Sequence, residues 1–137
     1  MVQDVDANAP WRERVRKDFP VFAFLAALHL VENPKDSQVP GPHGELGRYQ
    51  FKESTWRDTT TLDFTQENVW LYDESVAVKH VRWLQAEFHR HGMEGNVRQM
   101  ALAWKMGFTG FLKGPMTIHD WEYSSSVLVL TNMESSK

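Results

Sequence analysis

The chain has 137 residues, about the length of one domain, and its 42% hydrophobic and 24% charged residues are typical of globular proteins. The formal net charge of −3 argues against general nucleic-acid binding, which requires a basic face, and the lack of Cys excludes disulfides and thiolate metal sites. No apolar run reaches the ~18 residues that a membrane-spanning helix needs, so we expect no stable membrane insertion.

The first part of the chain predicts a strongly apolar helix followed by a long loop. Residues 1–9 are polar, and Pro10 predicts the first turn of a short helix that ends near Lys17. The almost uniformly apolar segment from Pro20 to Glu32 predicts a helix in the middle of the domain. Residues 33–47 contain three Pro and three Gly, which disfavours regular structure, and a long loop of this kind is often functional.

The middle of the chain predicts a short helix and then a long one. Ser54 is a candidate N-cap for a helix that ends near Thr60. We expect residues 61–73 to be irregular, apart from a helical turn near 67–72. Apolar residues at helical spacing then predict a long helix from Asp73, as its N-cap, to about residue 91.

Two further helices follow in the last third of the chain. Asn96 starts a helix that ends at Gly107, and residues 107–115 form a glycine-punctuated loop. Thr117 stands at capping-box spacing from an Asp, which predicts the start of a last helix that ends near Thr131.

These elements predict a mostly α fold around a central buried helix, with no strand pattern of useful length. We place the domain at residues 10–133, with a flexible N-terminus over 1–9 and a flexible C-terminus over 134–137. A single domain of this size is expected to be a monomer.

Glu32 is the strongest candidate for a catalytic group. It lies in the last turn of the apolar helix, where burial and the negative end of the helix dipole both disfavour a carboxylate and raise its pKa. A carboxylic acid that stays protonated near neutral pH is what general acid cleavage of a glycosidic bond requires. The alternatives are a Glu that is exposed at the helix end, or one that binds loop amides.

The loop after Glu32 carries a recognisable motif. Gly44-Glu-Leu-Gly47-Arg-Tyr-Gln50 places two glycines, at which a backbone can approach a ligand closely, before a side-chain amide that both donates and accepts hydrogen bonds. With Glu32 and Asn33-Pro34 before it, this segment resembles the lytic transglycosylase family with the lysozyme-like fold. In that family the catalytic Glu ends an apolar helix, and Gly-x-x-Gly-Leu-Met-Gln follows at similar spacing.

Two later segments extend the resemblance to about residue 130. Ala101–Gly107 is similar to the family's Ala-Tyr-Asn-Ala-Gly helix end, and Tyr123–Val127 is similar to its Tyr-x-x-x-Val helix. The resemblance implies cleavage of the MurNAc–GlcNAc β-1,4 bond of peptidoglycan, with Glu32 as the single general acid and base and a 1,6-anhydro sugar as product. We expect the sugar-binding cleft to be lined by Glu45, Gly47, Tyr49, Gln50, Trp104, Lys105 and Tyr123.

Departures from the family pattern leave alternatives open. Asn33 stands where the family usually has Ser, and Arg48-Tyr49 stands where it has Leu-Met. Lys105 replaces the groove Asn, and its cation could bind a substrate carboxylate or lower the pKa of the catalytic Glu. In the second case the chain is a non-catalytic glycan-binding module on the same scaffold.

Glu45 bears on the choice between transglycosylase and hydrolase. We expect a solvated loop side chain; if Glu45 instead faces Glu32 across the cleft, hydrolysis by a muramidase becomes possible. A third alternative is a helical interaction domain with an unrelated task, which predicts no cleft beside Glu32.

We expect neither a cofactor nor a metal ion. His89 and His91 are two residues apart, which puts them on different sides of a helix. His43 lies in the loop near the proposed site and could contact substrate, but we expect an ordinary polar turn residue. The resemblance implies that the partners are peptidoglycan strands of the bacterial cell wall, outside the cytoplasmic membrane. We therefore expect an extracytoplasmic location, periplasmic or secreted, although the first residues lack the basic start and apolar stretch of a signal peptide.

Overall fold

The computed structural model describes residues 19–137, and this part of the chain is mostly helical, with one isolated bridge and no longer strand. The mostly α fold class predicted from the sequence is confirmed. The predicted helix over 10–17 and the predicted flexible segment over 1–9 lie outside the described residues. The helices are α1 (Val21–Glu32), α2 (Glu53–Thr59), α3 (Gln66–Arg90), α4 (Val97–Met106), α5 (Phe108–Lys113) and α6 (Ile118–Ser135).

The apolar helix α1 is buried over part of its circumference. Phe24, Leu25 and Leu28 are at most 1% exposed, and the helix packs mainly against α6 and also against α3. Phe22 and Leu30 are 68% and 45% exposed, so the helix is not enclosed on all sides as its composition predicts. The buried side is sufficient to anchor the helix, because each buried side chain of this size contributes roughly 2 kcal/mol.

The long helix α3 begins well before the predicted start at Asp73. Thr65 is its N-cap and accepts a hydrogen bond from the backbone of Asn68. Asp73 is 1% exposed and accepts hydrogen bonds from both the backbone N–H and the guanidinium of Arg48 in the preceding loop. The short helix α2 also starts earlier than predicted, so Ser54 lies inside its first turn.

The later helices follow the predicted caps more closely. Asn96 and Thr117 each form a complete capping box, at the starts of α4 and α6. Between them, α5 occupies a segment predicted to be a loop. Its Phe108 packs edge-to-face on Phe88 of α3 with ring centroids 5.0 Å apart, and this burial outweighs the ~1 kcal/mol cost of a glycine within a helix. Helix α6 continues past the predicted end at Thr131.

A tight loop after α1 is tied to the end of that helix. Leu46 and Phe51 exchange both backbone hydrogen bonds, at 3.0 and 2.9 Å, so the chain between them closes on itself. The side-chain amides of Asn33, the C-cap of α1, and of Gln50 both donate to the carbonyl of Gly47, at 3.1 and 2.9 Å. These bonds hold the loop side chains next to the last turn of α1.

Candidate functional site

A cavity of about 350 Å³ opens beside the last turn of α1. This volume lies near the lower end of the ~300–1,000 Å³ that small-molecule sites span. The walls come from α1, the loop before α2, and helices α2, α3, α4 and α6. Six of the residues predicted for the site line it: Glu32, Glu45, Gln50, Trp104, Lys105 and Tyr123.

The carboxyl of Glu32 lines this cavity and receives one hydrogen bond. Burial raises the pKa of Glu32 above its ordinary value of 4.5, and the nearby Glu45 carboxylate raises it further. The hydroxyl of Tyr123 on α6 donates to Oε2 at 2.6 Å, which lowers the pKa but by less than burial raises it. Oε1 has no hydrogen-bond partner within residues 19–137. The result is a carboxyl whose pKa is raised by burial and that has one oxygen available.

The phenol of Tyr123 keeps its proton in this arrangement. Burial first, and then the neighbouring Glu32 carboxyl, raise the pKa of Tyr123 well above 10. The hydroxyl therefore donates to Glu32 whether Glu32 is protonated or ionised, and it stabilises the ionised form more strongly.

Glu45 faces the cavity, so the expectation of a solvated loop side chain is wrong. Its side chain is 15% exposed, and Oε1 accepts the backbone N–H of His43 at 2.8 Å. Partial burial raises the pKa of Glu45, but hydrogen bonds from the backbone of His43 and of Glu45 itself outweigh burial, and the net pKa lies below the ordinary value. The cavity therefore holds two carboxyls whose pKa values are shifted in opposite directions, a pattern typical of paired acid and base groups.

Lys105 forms an ion pair with Asp120. Its Nζ lies 2.7 Å from Oδ1 of Asp120 and 5.6 Å from the ring centroid of Tyr123. The hydrogen bond from Lys105 is the main reason that the pKa of Asp120 falls to about 2. Lys105 lowers the pKa of Glu32, but burial outweighs this effect and the net pKa stays raised. A second cation, Lys52, lines the cavity without an ion pair in the described part of the chain.

Trp104 and Gln50 present a ring and an amide to the cavity. Trp104 on α4 also packs edge-to-face on Phe24 and Tyr49, so the cavity wall is continuous with the aromatic core. Gln50 has a φ of +52° and donates from Nε2 to the carbonyl of Gly47, which orients the side chain and leaves its amide oxygen as an acceptor.

Tyr49 and Gly47 are not among the cavity-lining residues, although both were predicted for the cleft. Tyr49 is 5% exposed in the aromatic core, and burial raises its pKa to about 12. Gly47 has a φ of +85°, and a Cβ at this position would lie 2.4 Å from Cγ1 of Val69 on α3. This glycine allows the loop to approach a helix rather than a ligand.

His43, expected to be an ordinary turn residue, lines the cavity, and the sequence analysis missed five further lining residues: Val31, Phe51, Lys52, Thr55 and His80. Phe51 and Lys52 directly follow the Gly-x-x-Gly motif, and this proximity was an unused signal. His80 lies in the middle of α3, where burial lowers its pKa to about 4 and keeps the imidazole neutral near pH 7. Its ring meets that of Trp104 at 5.1 Å, a contact between two helices that no local pattern shows.

Within residues 19–137, no group of three His, Asp or Glu side chains is arranged to hold a metal ion. None of the described helices is both long enough and apolar enough to cross a membrane. Comparisons of the chain with protein-family models, with curated proteins and with solved structures found no significant match.

Proposed function

We propose that the protein is a lytic transglycosylase with a lysozyme-like domain, which cleaves the MurNAc–GlcNAc β-1,4 bond of peptidoglycan with Glu32 as its single general acid and base. One observation carries this proposal: a carboxyl with a raised pKa lines a cavity at the end of an apolar helix and is held by the hydroxyl of Tyr123. The loop motif between Gly44 and Gln50, which borders the same cavity, adds support.

In the proposed reaction, protonated Glu32 transfers its proton to the leaving glycosidic oxygen as the bond to the MurNAc anomeric carbon breaks. The N-acetyl carbonyl of MurNAc assists from within the substrate, as in other substrate-assisted glycosidases. Glu32, now a carboxylate that accepts the Tyr123 hydrogen bond, then takes the proton of the 6-hydroxyl while O6 bonds to the anomeric carbon. The products are a new GlcNAc end and a 1,6-anhydro sugar, and no water is consumed.

The other cavity residues have binding roles in this proposal. The amide oxygen of Gln50 accepts a hydrogen bond from a sugar N–H or O–H, and Trp104 offers a ring face to the apolar side of a pyranose. Lys52 and Lys105 provide positive charge for a lactyl or peptide carboxylate, and Lys52 is the less neutralised of the two.

Hydrolysis by a muramidase is the second candidate, and the position of Glu45 favours it. A carboxylate with a lowered pKa in the same cavity as the acid Glu32 is suited to activate a water molecule. Such a reaction adds water to the anomeric carbon and produces reducing ends in place of anhydro ends.

Product analysis of digested peptidoglycan separates these candidates. We expect wild-type protein to release muropeptides that lack one water relative to hydrolysed ones, as seen by mass spectrometry. We also expect Glu45→Gln to keep the anhydro product at about the wild-type rate, within the usual small effect of losing one polar contact. Reducing-end products from wild type, lost in Glu45→Gln, would instead establish the hydrolase.

A non-catalytic glycan-binding module remains the non-enzymatic alternative, and the two departures that favoured it have structural explanations. Asn33 is buried, and its side chain binds the backbone of both Ser37 and Gly47. Lys105 is paired with Asp120. Retained binding of sacculi with no soluble product would support this alternative. The cavity beside Glu32 is not expected for an unrelated helical interaction domain.

Replacing Tyr123 by Phe tests the acid's environment. The lost hydrogen bond lowers the pKa of Glu32 in the wild type, so Tyr123→Phe raises that pKa further. Because the general acid acts in its protonated form, we expect the alkaline limb of the pH profile of kcat/KM to move to higher pH. Tyr72→Phe, at a 44% exposed position, is the control. An alkaline limb that moves to lower pH would be inconsistent with the proposed hydrogen bond.

The proposed substrate also determines the proposed setting. Peptidoglycan strands lie outside the cytoplasmic membrane, so the chain acts as an extracytoplasmic monomer on bacterial cell walls. The net charge of −3 argues against general nucleic-acid binding. No cofactor is needed for this chemistry, because the substrate and one carboxyl supply every group that reacts.

A further inference from the structure

The cavity accommodates only part of a glycan strand. Its volume of about 350 Å³ is small for a polymeric ligand, so sugars before and after the cleaved bond must lie on the surrounding surface. An aromatic surface that adjoins the cavity is therefore a candidate for an additional sugar site.

Such a surface begins at His80, whose ring lines the cavity. One helical turn along α3, the ring of Trp83 lies nearly parallel to it, with an interplanar angle of 11° and centroids 5.8 Å apart. The ring of His80 also contacts that of Trp104 in the cavity wall, with centroids 5.1 Å apart. His80 therefore links the exposed ring of Trp83 to the wall of the cavity.

Trp83 differs from three other tryptophans in the hydrogen bonding of its indole. It is 50% exposed, and its indole N–H has no acceptor within residues 19–137. The indole N–H groups of Trp56, Trp70 and Trp104 all donate to protein oxygens. An exposed ring with an unused donor can stack on the C–H face of a pyranose and donate to one of its hydroxyls.

We propose that Trp83, supported by His80, forms an aromatic ledge that binds a further sugar of the glycan strand held in the cavity. This inference rests on the proposed function for the identity of its ligand. The proposed occupant is a saccharide because His80 lines the cavity and its ring stacks on that of Trp83. His80 is neutral near pH 7, so the ledge presents uncharged rings to an uncharged sugar face.

The test measures affinity as a function of oligosaccharide length. The probes are β-1,4-linked N-acetylglucosamine oligomers of two to six units, titrated calorimetrically into the whole chain carrying Glu32→Gln, which prevents turnover. We expect the longest oligomer to bind this parent about 10-fold more tightly than the disaccharide, and Trp83→Ala to remove most of this gain. Affinity for the disaccharide should change by less than about twofold, and Trp83→Phe should restore part of the gain.

Trp121→Ala is the matched control, since Trp121 is 46% exposed and its ring faces the guanidinium of Arg98 rather than the cavity. This variant should bind all oligomers like the parent. Circular dichroism and urea unfolding check that each variant is folded.

Three results would contradict the proposed ledge. They are a dependence of affinity on oligomer length that persists in Trp83→Ala, an equal loss of affinity for short and long oligomers, and no binding of any oligomer to the parent. Digestion of peptidoglycan is measured separately. Cleavage of peptidoglycan by wild type and not by Glu32→Gln would support the proposed function. If Trp83→Ala nevertheless keeps the length dependence of affinity, only the proposed ledge is wrong. If wild type releases no products from peptidoglycan, the proposed function fails on its own evidence.

Discussion

Replacing Glu32 by Gln should lower the rate at which cell walls are cleaved by about 100-fold or more, the usual contribution of a general acid. The amide keeps the size of the side chain and an oxygen that accepts the Tyr123 hydroxyl, but it has no proton to transfer. The rate at which a cell-wall suspension loses turbidity measures the effect. Glycan binding should persist, because only the titrating group is lost.

Glu53→Gln is the matched control for this experiment. Glu53 lies on α2, its side chain is 54% exposed, and it pairs with Arg57 at the surface. The same loss of charge there should leave the clearing rate unchanged. Equal clearing by wild type and Glu32→Gln would remove Glu32 from the catalytic role, and an equal loss in both variants would indicate a general effect of charge.

Replacing Gly47 by Ala should destabilise the protein by about 3 kcal/mol, because two costs combine. The new Cβ lies 2.4 Å from Cγ1 of Val69, so the loop or α3 must shift. The residue also has a φ of +85°, which is unfavourable for a residue with a Cβ. Clearing activity should fall as well, since the Gly47 carbonyl accepts hydrogen bonds from Asn33 and Gln50.

Gly44→Ala separates the two costs. Gly44 has a similar φ of +82°, but a Cβ there has no neighbour within 4 Å. Gly44→Ala should lower the free energy of unfolding by only about 1 kcal/mol, from backbone strain alone. Urea unfolding measures both variants. Equal losses at the two positions would show that contact with α3 is not what requires a glycine at position 47.

Sequence patterns predicted those elements of the fold that depend on interactions between residues close together in the chain. The apolar run predicted α1 and placed Glu32 in its last turn, and Asn96 and the capping-box spacing at Thr117 marked the starts of α4 and α6. The start of α3 was missed because Asp73 is as suitable for a cap as for an ion pair. Its actual partner, Arg48, lies in a different part of the sequence.

The contacts that build the cavity join distant parts of the chain, and local patterns do not reveal them. Tyr49 and Gln50 are neighbours, yet the first enters the core and the second lines the cavity, because the positive φ of Gln50 sets the direction of the loop. His80 meets Trp104 from another helix. Glu45 is drawn inward by a backbone N–H two residues away, a bond that depends on the folded turn.

The most direct test of Glu32 as the acid is the titration of its carboxyl, followed by NMR of ¹³C-labelled glutamate and assigned by the loss of the signal in Glu32→Gln. The Glu32 midpoint should lie above 4.5 and the Glu45 midpoint below its ordinary value, since burial dominates at the first and backbone hydrogen bonds at the second. A Glu32 midpoint at or below 4.5 would contradict a carboxyl whose pKa is raised by burial at the cavity wall.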